Sequence, residues 1–183
     1  MTINNKQQLI DSLAQGNKFD FVFFGGEGLA QQVDARRCFS QWYMADFEVD
    51  GHRFVNSAHY VMAAKAKLFG DDEAYHKLLA VSSTDDIQTL GRSIQGFNEQ
   101  LWLDNRMSIV ETSVEQKFAQ NPILMAFLKD SADKVIAEAN PVDKIWATGV
   151  AEDDANATNP AEWTGDSLLG FVIMAVRSRL LAG

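Results

Sequence analysis

The run Gly25-Gly26-Glu27-Gly28 follows an aromatic stretch and has the composition of a phosphate-cradling turn. A dinucleotide fingerprint needs a further glycine where Gln31 stands, and an acidic residue closing a βαβ unit about 20 residues on. The run is therefore read as a tight turn or a close backbone approach to a ligand. Cys38, the single cysteine, has no base beside it in sequence and no second thiol for a disulfide or a CxxC pair. Three scattered histidines and one cysteine give no metal-ligand spacing, so neither a metal nor a cofactor is expected. GxSxG, HExxH and P-loop patterns are also missing. Local pattern alone assigns no reaction class.

The elements that must position any chemistry are mostly helical. The chain has 183 residues, 46% hydrophobic and 22% charged, which is the bulk of one globular domain. No run approaches the roughly 18 to 20 apolar residues that span a bilayer, and the N-terminus lacks a signal-peptide pattern. With one cysteine, the expected compartment is the cytoplasm and no membrane partner is expected. A net charge of −9 repels duplex nucleic acid at long range, so any nucleotide contact must use a local pocket.

An opening helix over 6–15 stops at Gly16, and Phe19–Phe24 reads as a short buried strand. FEV and HRFV, joined across Asp50-Gly51, read as a hairpin. Asn56 or Ser57 caps a helix running to Gly70, followed by helices over 72–81 and from Ser83 toward Gly91. The longest helix spans about 98–120, with Leu101, Met107, Val110, Val114 and Phe118 expected to pack across the domain centre. Pro122 starts a helix to about Lys129, Lys134–Ala139 is helix or strand, and a last helix begins near Asp166. The acidic segment 150–160 reads as a surface loop, either a solvated insertion or a lid.

A series of separated motifs carries more information than any single one. FSQWYMADFEVDG (39–51), NSAHYVMAAKAKLFGD (56–71), LGR (90–92), Trp102, KFAQNP (117–122), DKIWATG (143–149) and WTGDSLLGFVIMAVR (163–177) occur in that order. Together they resemble the NADAR, or YbiA-like, family of N-glycosidases over about residues 19–181. The resemblance implies a mainly α, single-domain multihelical fold with a few short strands (α+β). Residues 1–18 are then a helical extension and 19–183 the N-glycosidase domain. It also implies hydrolysis of a ribose C1–nitrogen bond, in ADP-ribosylated guanine or in phosphoribosylamino-pyrimidine intermediates of riboflavin synthesis. The implied partners are ADP-ribose or a ribose-phosphate ligand, and ADP-ribosylated nucleic acid through a local pocket.

Such a reaction needs an anion beside a carbon of oxocarbenium character, a base for water and a proton donor for the leaving nitrogen. The family usually places a Glu in a Ser-Glu-His-Tyr run; here the run is Ser57-Ala58-His59-Tyr60, and Ala58 stands in the carboxylate position. That departure implies catalysis lost or relocated, or a chain inactivated by design to hold its ligand, as a non-catalytic ADP-ribose sensor would. Lys65 lies about two helical turns from Ala58 on the same face. It is read as a cation for phosphate or leaving base, as an amine capturing the opened sugar, or as a solvated lysine.

Asp143 matches the family's second acidic position, and its bland reading is a turn cap after Pro141. Trp102 and Trp146 match family indoles, though Ala147 replaces the usual glycine after Trp146. Phe39, Ser40 and Trp42 match an aromatic and hydroxyl pocket wall, with Gln41 in an Asn place. Arg92 and Arg177 match family arginines that either fork onto phosphate or brace helices. Ser167 replaces a usual Asn, and His59 is read as a motif residue with a structural alternative. The resemblance implies a pocket formed by the helix from Ser57, the long helix and the Asp143 segment.

Overall fold

Short polar side chains start the helices. In the computed structural model, which describes residues 3–25 and 35–182, Asn5, Asn56, Asp71, Ser83 and Asn98 each accept an N–H from the first turn of the helix that follows. The helices so capped are α1 (Lys6–Ala14), α2 (Ser57–Leu68), α3 (Asp72–Ala80), α4 (Thr84–Ser93) and α5 (Glu99–Ala119). Two more follow, α6 (Pro122–Asp130) and α7 (Leu168–Ala182). The strands are β1 (Phe21–Phe24), β2 (Phe47–Val49), β3 (His52–Phe54) and β4 (Val135–Glu138), which settles the 134–139 segment as extended. Helices dominate and the strands only pair in twos, so the expected α+β, mainly helical class holds. Of the glycine run only Gly25 is described; residues 26–28 lie outside the described residues.

The chain gathers into two compact units, residues 1–40 with 123–183, and residues 41–122. In the second unit β2 and β3 pair antiparallel, and Asp50 and Gly51 both take positive φ (51° and 77°), as a two-residue hairpin turn demands. Phe47, Phe54, Val55, Ala63, Ala66, Ala74, Leu78 and Ile87 form one buried cluster joining the hairpin to α2, α3 and α4. α5 packs on α2, and its Val110, Val114 and Phe118 are buried, but Leu101 and Met107 are exposed, contrary to the expected continuous stripe.

In the first unit β1 and β4 pair parallel, Phe21 opposite Val135 through Phe24 opposite Glu138. Phe24, Phe39 and Phe127 stack successively, with ring centroids 5.8 and 5.5 Å apart. α7 lies directly on β4, because a Cβ on Gly170 would fall 2.0 Å from the Ile136 carbonyl oxygen. α1 is built into this unit: Leu9 is buried and Lys6 Nζ donates to the carbonyls of Trp163 (2.7 Å) and Gly165 (3.2 Å). The 150–160 segment is a series of turns tied down at two points. Arg36 pairs with Glu152 at 2.7 Å, and Trp163 Nε1 donates to the Ala157 carbonyl at 2.7 Å.

Candidate active site

The candidate residues divide between the two units. In the first, β4 ends on Glu138, whose backbone is fixed from both sides: Ala139 N–H donates to the Phe24 carbonyl and Thr148 N–H to the Glu138 carbonyl. The Glu138 side chain lies against Gly25, where an added Cβ would meet its Cγ at 3.0 Å and its Oε1 at 3.4 Å. The first glycine of the run thus makes room for a carboxylate. Burial, together with the negative charge of Asp143, pushes the Glu138 carboxyl up to about 7. Asp143 Oδ1 accepts the N–H groups of Ile145 (2.8 Å) and Trp146 (2.9 Å), so it caps its own turn while presenting charge to Glu138.

That turn is bolted to the start of α7. The carbonyls of Lys144, Ile145, Trp146 and Ala147 accept the N–H groups of Asp166, Leu168, Leu169 and Ser167 respectively. Ala147, in place of the family glycine, is fully buried without disturbing these bonds; the close approach falls on Gly165, whose added Cβ would meet the Ala147 oxygen at 2.4 Å. Ser167 is buried at a positive φ of 54°, and its Oγ has no partner.

In the second unit α2 presents Lys65 to an aromatic floor. Its Nζ stands 5.4 Å from the centroids of both Phe97 and Trp102, and Phe69 meets both rings edge-on. Burial lowers the ammonium's pKa. Lys65 and Trp102, two separate sequence candidates, thus meet within this unit, and Phe97, 59% exposed, joins them. Ala58 is buried, and its N–H donates to the Gln41 carbonyl at 2.9 Å. Beside it, Ser57 Oγ is buried with no partner.

The other candidates take mostly structural places. His59 is sealed, with Nε2 2.7 Å from the Leu78 carbonyl and Nδ1 facing Val55 N–H, so it is a neutral Nε2–H tautomer whose pKa burial lowers. Tyr60 packs its ring on Phe47 and Phe54. Trp42 packs against the same cluster. Phe39 is a core residue of the first unit; Ser40 is half-buried at the end of the turn that carries it. Arg92 is exposed on the last turn of α4, where a cation suits the helix C-terminus. Arg177 braces: its guanidinium donates to Ser131 Oγ (2.8 Å) and the Lys134 carbonyl (3.0 Å).

The sequence reading missed Glu138 and Phe97. The available signal for the first was a carboxylate ending an otherwise apolar VIAE segment. For the second it was an aromatic immediately before the cap of the longest helix. Among the described residues no cluster of His, Cys, Asp and Glu can hold a metal, and no helix is long and apolar enough to cross a membrane.

In the first unit, a buried carboxyl at the end of β4 beside the charged carboxylate of the turn that follows can exchange a proton with a bond undergoing hydrolysis. The known proteins that this chain resembles belong to that class, hydrolases of N-glycosyl bonds. The chain is 37% identical to "N-glycosidase R617" of Acanthamoeba polyphaga mimivirus, over 86% of this chain and 94% of that protein. It is 25% identical to "N-glycosidase YbiA" of Escherichia coli (strain K12), over 78% of this chain and 80% of that one. The NMR structure of E. coli YbiA superposes with a TM-score of 0.72, covering 91% of this chain and 88% of that one at 22% identity, which establishes the shared fold. The NADAR domain profile matches residues 28–181, and the chain belongs to the NADAR domain family.

Proposed function

We propose that the chain hydrolyses the bond between ribose C1 and nitrogen in ADP-ribosylated guanine, in nucleic acid or as a nucleotide, with Glu138 as the acid that protonates the leaving nitrogen. The observation that carries this reading is the Glu138 carboxyl held near 7 beside charged Asp143. A carboxyl so poised is still protonated in about half of the molecules at neutral pH and can give up that proton in the transition state. Asp143 holds that proton in place electrostatically. Water adds to C1 as the C1–N bond breaks, the guanine nitrogen takes the proton of Glu138, and the proton that the water gives up returns to the Glu138 carboxylate.

Within the second unit, Lys65 over Phe97 and Trp102 offers a cation for a phosphate and an aromatic face for a base. An acidic chain with such a confined cationic site admits one nucleotide without gripping duplex backbone. We place the reaction in the cytoplasm, in keeping with a single cysteine.

Ala58 favours a second reading, in which the chain binds ADP-ribose and turns it over poorly or not at all. Phosphoribosylamino-pyrimidine intermediates of riboflavin synthesis are the alternative substrate. The deciding experiment incubates the wild-type chain and Ala58→Glu with an ADP-ribosylated guanine oligonucleotide and, separately, with the phosphoribosylamino-pyrimidine. ADP-ribose release from the oligonucleotide, raised by roughly two to four powers of ten in Ala58→Glu, is the expected result. Faster turnover of the pyrimidine would reassign the substrate. ADP-ribose binding with no turnover of either compound by either chain would leave the sensor.

A further inference from the structure

α2 opens on two residues sealed from solvent, and their hydrogen-bond donors outnumber the acceptors around them. Asn56 Oδ1 is occupied, accepting His59 N–H at 2.8 Å as the helix cap. Among the described residues its Nδ2 meets only the Met44 thioether, at 3.5 Å, and sulfur is a weak acceptor. Ser57 is 1% exposed, its Oγ has no partner, and its backbone N–H finds no acceptor among the described residues. Helical Cα–Cβ bonds tilt toward the N-terminus, so this hydroxyl leans into the same end of α2 as the unmet N–H. Native interiors rarely leave such donors unmade, and a cluster of them marks a place where an acceptor belongs.

We infer that the N-terminus of α2 binds a single carboxylate group, held by the Ser57 N–H, the Ser57 hydroxyl and the Asn56 amide. The donors are neutral, and the helix end adds only about half a positive charge, which matches one negative charge better than two. Lys and Arg side chains, which a phosphate dianion calls for, make no bond to Asn56 or Ser57. Met44 is more than half exposed, and its flexible side chain can leave Asn56 Nδ2 to a stronger acceptor. Ala58, the next residue, brings no acceptor of its own.

The bearing on catalysis rests on the glycosidase reading above; the binding does not. A carboxylate at this end of α2 would supply the negative charge that a cation-like ribose carbon requires, and Ala58 does not.

The test titrates the 15N-labelled protein with sodium formate, and in a parallel arm with inorganic phosphate at equal ionic strength. Formate is expected to shift the Ser57 N–H and the Asn56 side-chain amide saturably, while phosphate leaves them in place. Ser57→Ala should lose the formate response without a lower melting temperature, because it removes a hydroxyl that bonds nothing. Ala58→Glu should lose it with Ser57 intact, its tethered carboxylate occupying the site. No saturable shift in the wild-type chain, or an equal response to phosphate, overturns the inference. Formate should also raise wild-type turnover of the ADP-ribosylated oligonucleotide by about tenfold or more, and leave Ala58→Glu unchanged. Saturable formate binding without any rise in turnover keeps the carboxylate site and counts against the glycosidase reading instead.

Discussion

Burial acts on opposite charges in the two units. In the first it penalises an anion, so Glu138 holds its proton up to about 7. In the second it penalises cations, so the Lys65 and His59 pKa values fall below their ordinary values. Burial thus favours the neutral form in both units, of a carboxyl in one and of an amine and an imidazole in the other. Low-dielectric packing is thus the common device. What differs is its use: Glu138 has a like charge beside it and no paired cation among the described residues, Lys65 faces aromatic rings, and His59 is locked to a carbonyl.

The contrast is most severely tested at Glu138. Glu138→Gln keeps the shape and removes the titrating proton, so turnover of the ADP-ribosylated oligonucleotide should fall by roughly two to four powers of ten. The wild-type rate should decline as pH rises through about 7, where Glu138 loses its proton, and the variant should lack that decline. The same substitution should stabilise the fold in alkali. The native carboxyl binds its proton more tightly than the unfolded one, so stability falls as pH climbs from about 4.5 to about 7, by on the order of 3 kcal/mol. Guanidinium melts at pH 8 should show the variant more stable. An active variant with an unchanged pH profile would remove Glu138 from the chemistry.

Packing rather than charge sets the next effect. Gly170→Ala drives a methyl into the Ile136 carbonyl and should cost about 1–3 kcal/mol or more in the first unit, read as a lower denaturation midpoint. A midpoint within error of wild type would mean that α7 can withdraw from β4. Lys65→Met retains the stem over Phe97 and Trp102 but loses the charge. ADP-ribose affinity, followed by Trp fluorescence, should weaken about tenfold. Unaltered affinity would make the lysine a packing residue.

The smallest effect belongs to His59. Its folded pKa lies below the unfolded value near 6.5, so the unfolded chain binds more protons and stability is lost as pH falls below about 6.5. Denaturant midpoints between pH 7.5 and 5 should decline, and His59→Gln, which keeps an amide donor toward Leu78, should flatten that part of the curve. An identical slope in the variant would assign the acid sensitivity elsewhere.

Much of this architecture is legible in the order of residue types. Asn56 and Asn98 announce their helices because a short side-chain oxygen reaches the first-turn N–H groups whatever surrounds it. Asp50-Gly51 fixes the hairpin because both positions must accept positive φ. The motif runs single out Lys65 and Trp102 one by one, but that the two meet is visible only once α2 and α5 pack. Glu138 was not anticipated, since a carboxylate ending a strand is ordinarily solvated.

The sequence by itself determined the local elements, the family and the substitution at position 58, because caps, turns and motif order depend on neighbouring residues. Tertiary structure alone decided which groups are unusual. Glu138 becomes an acid only because Gly25, just past the end of the strand paired beside it, leaves room for a buried carboxyl, and Asp143 charges its surroundings from the turn that follows β4. Ser57 becomes an unmet donor only because the fold seals it. Desolvation is a property of everything packed around a group, and no spacing of letters along a chain encodes it directly.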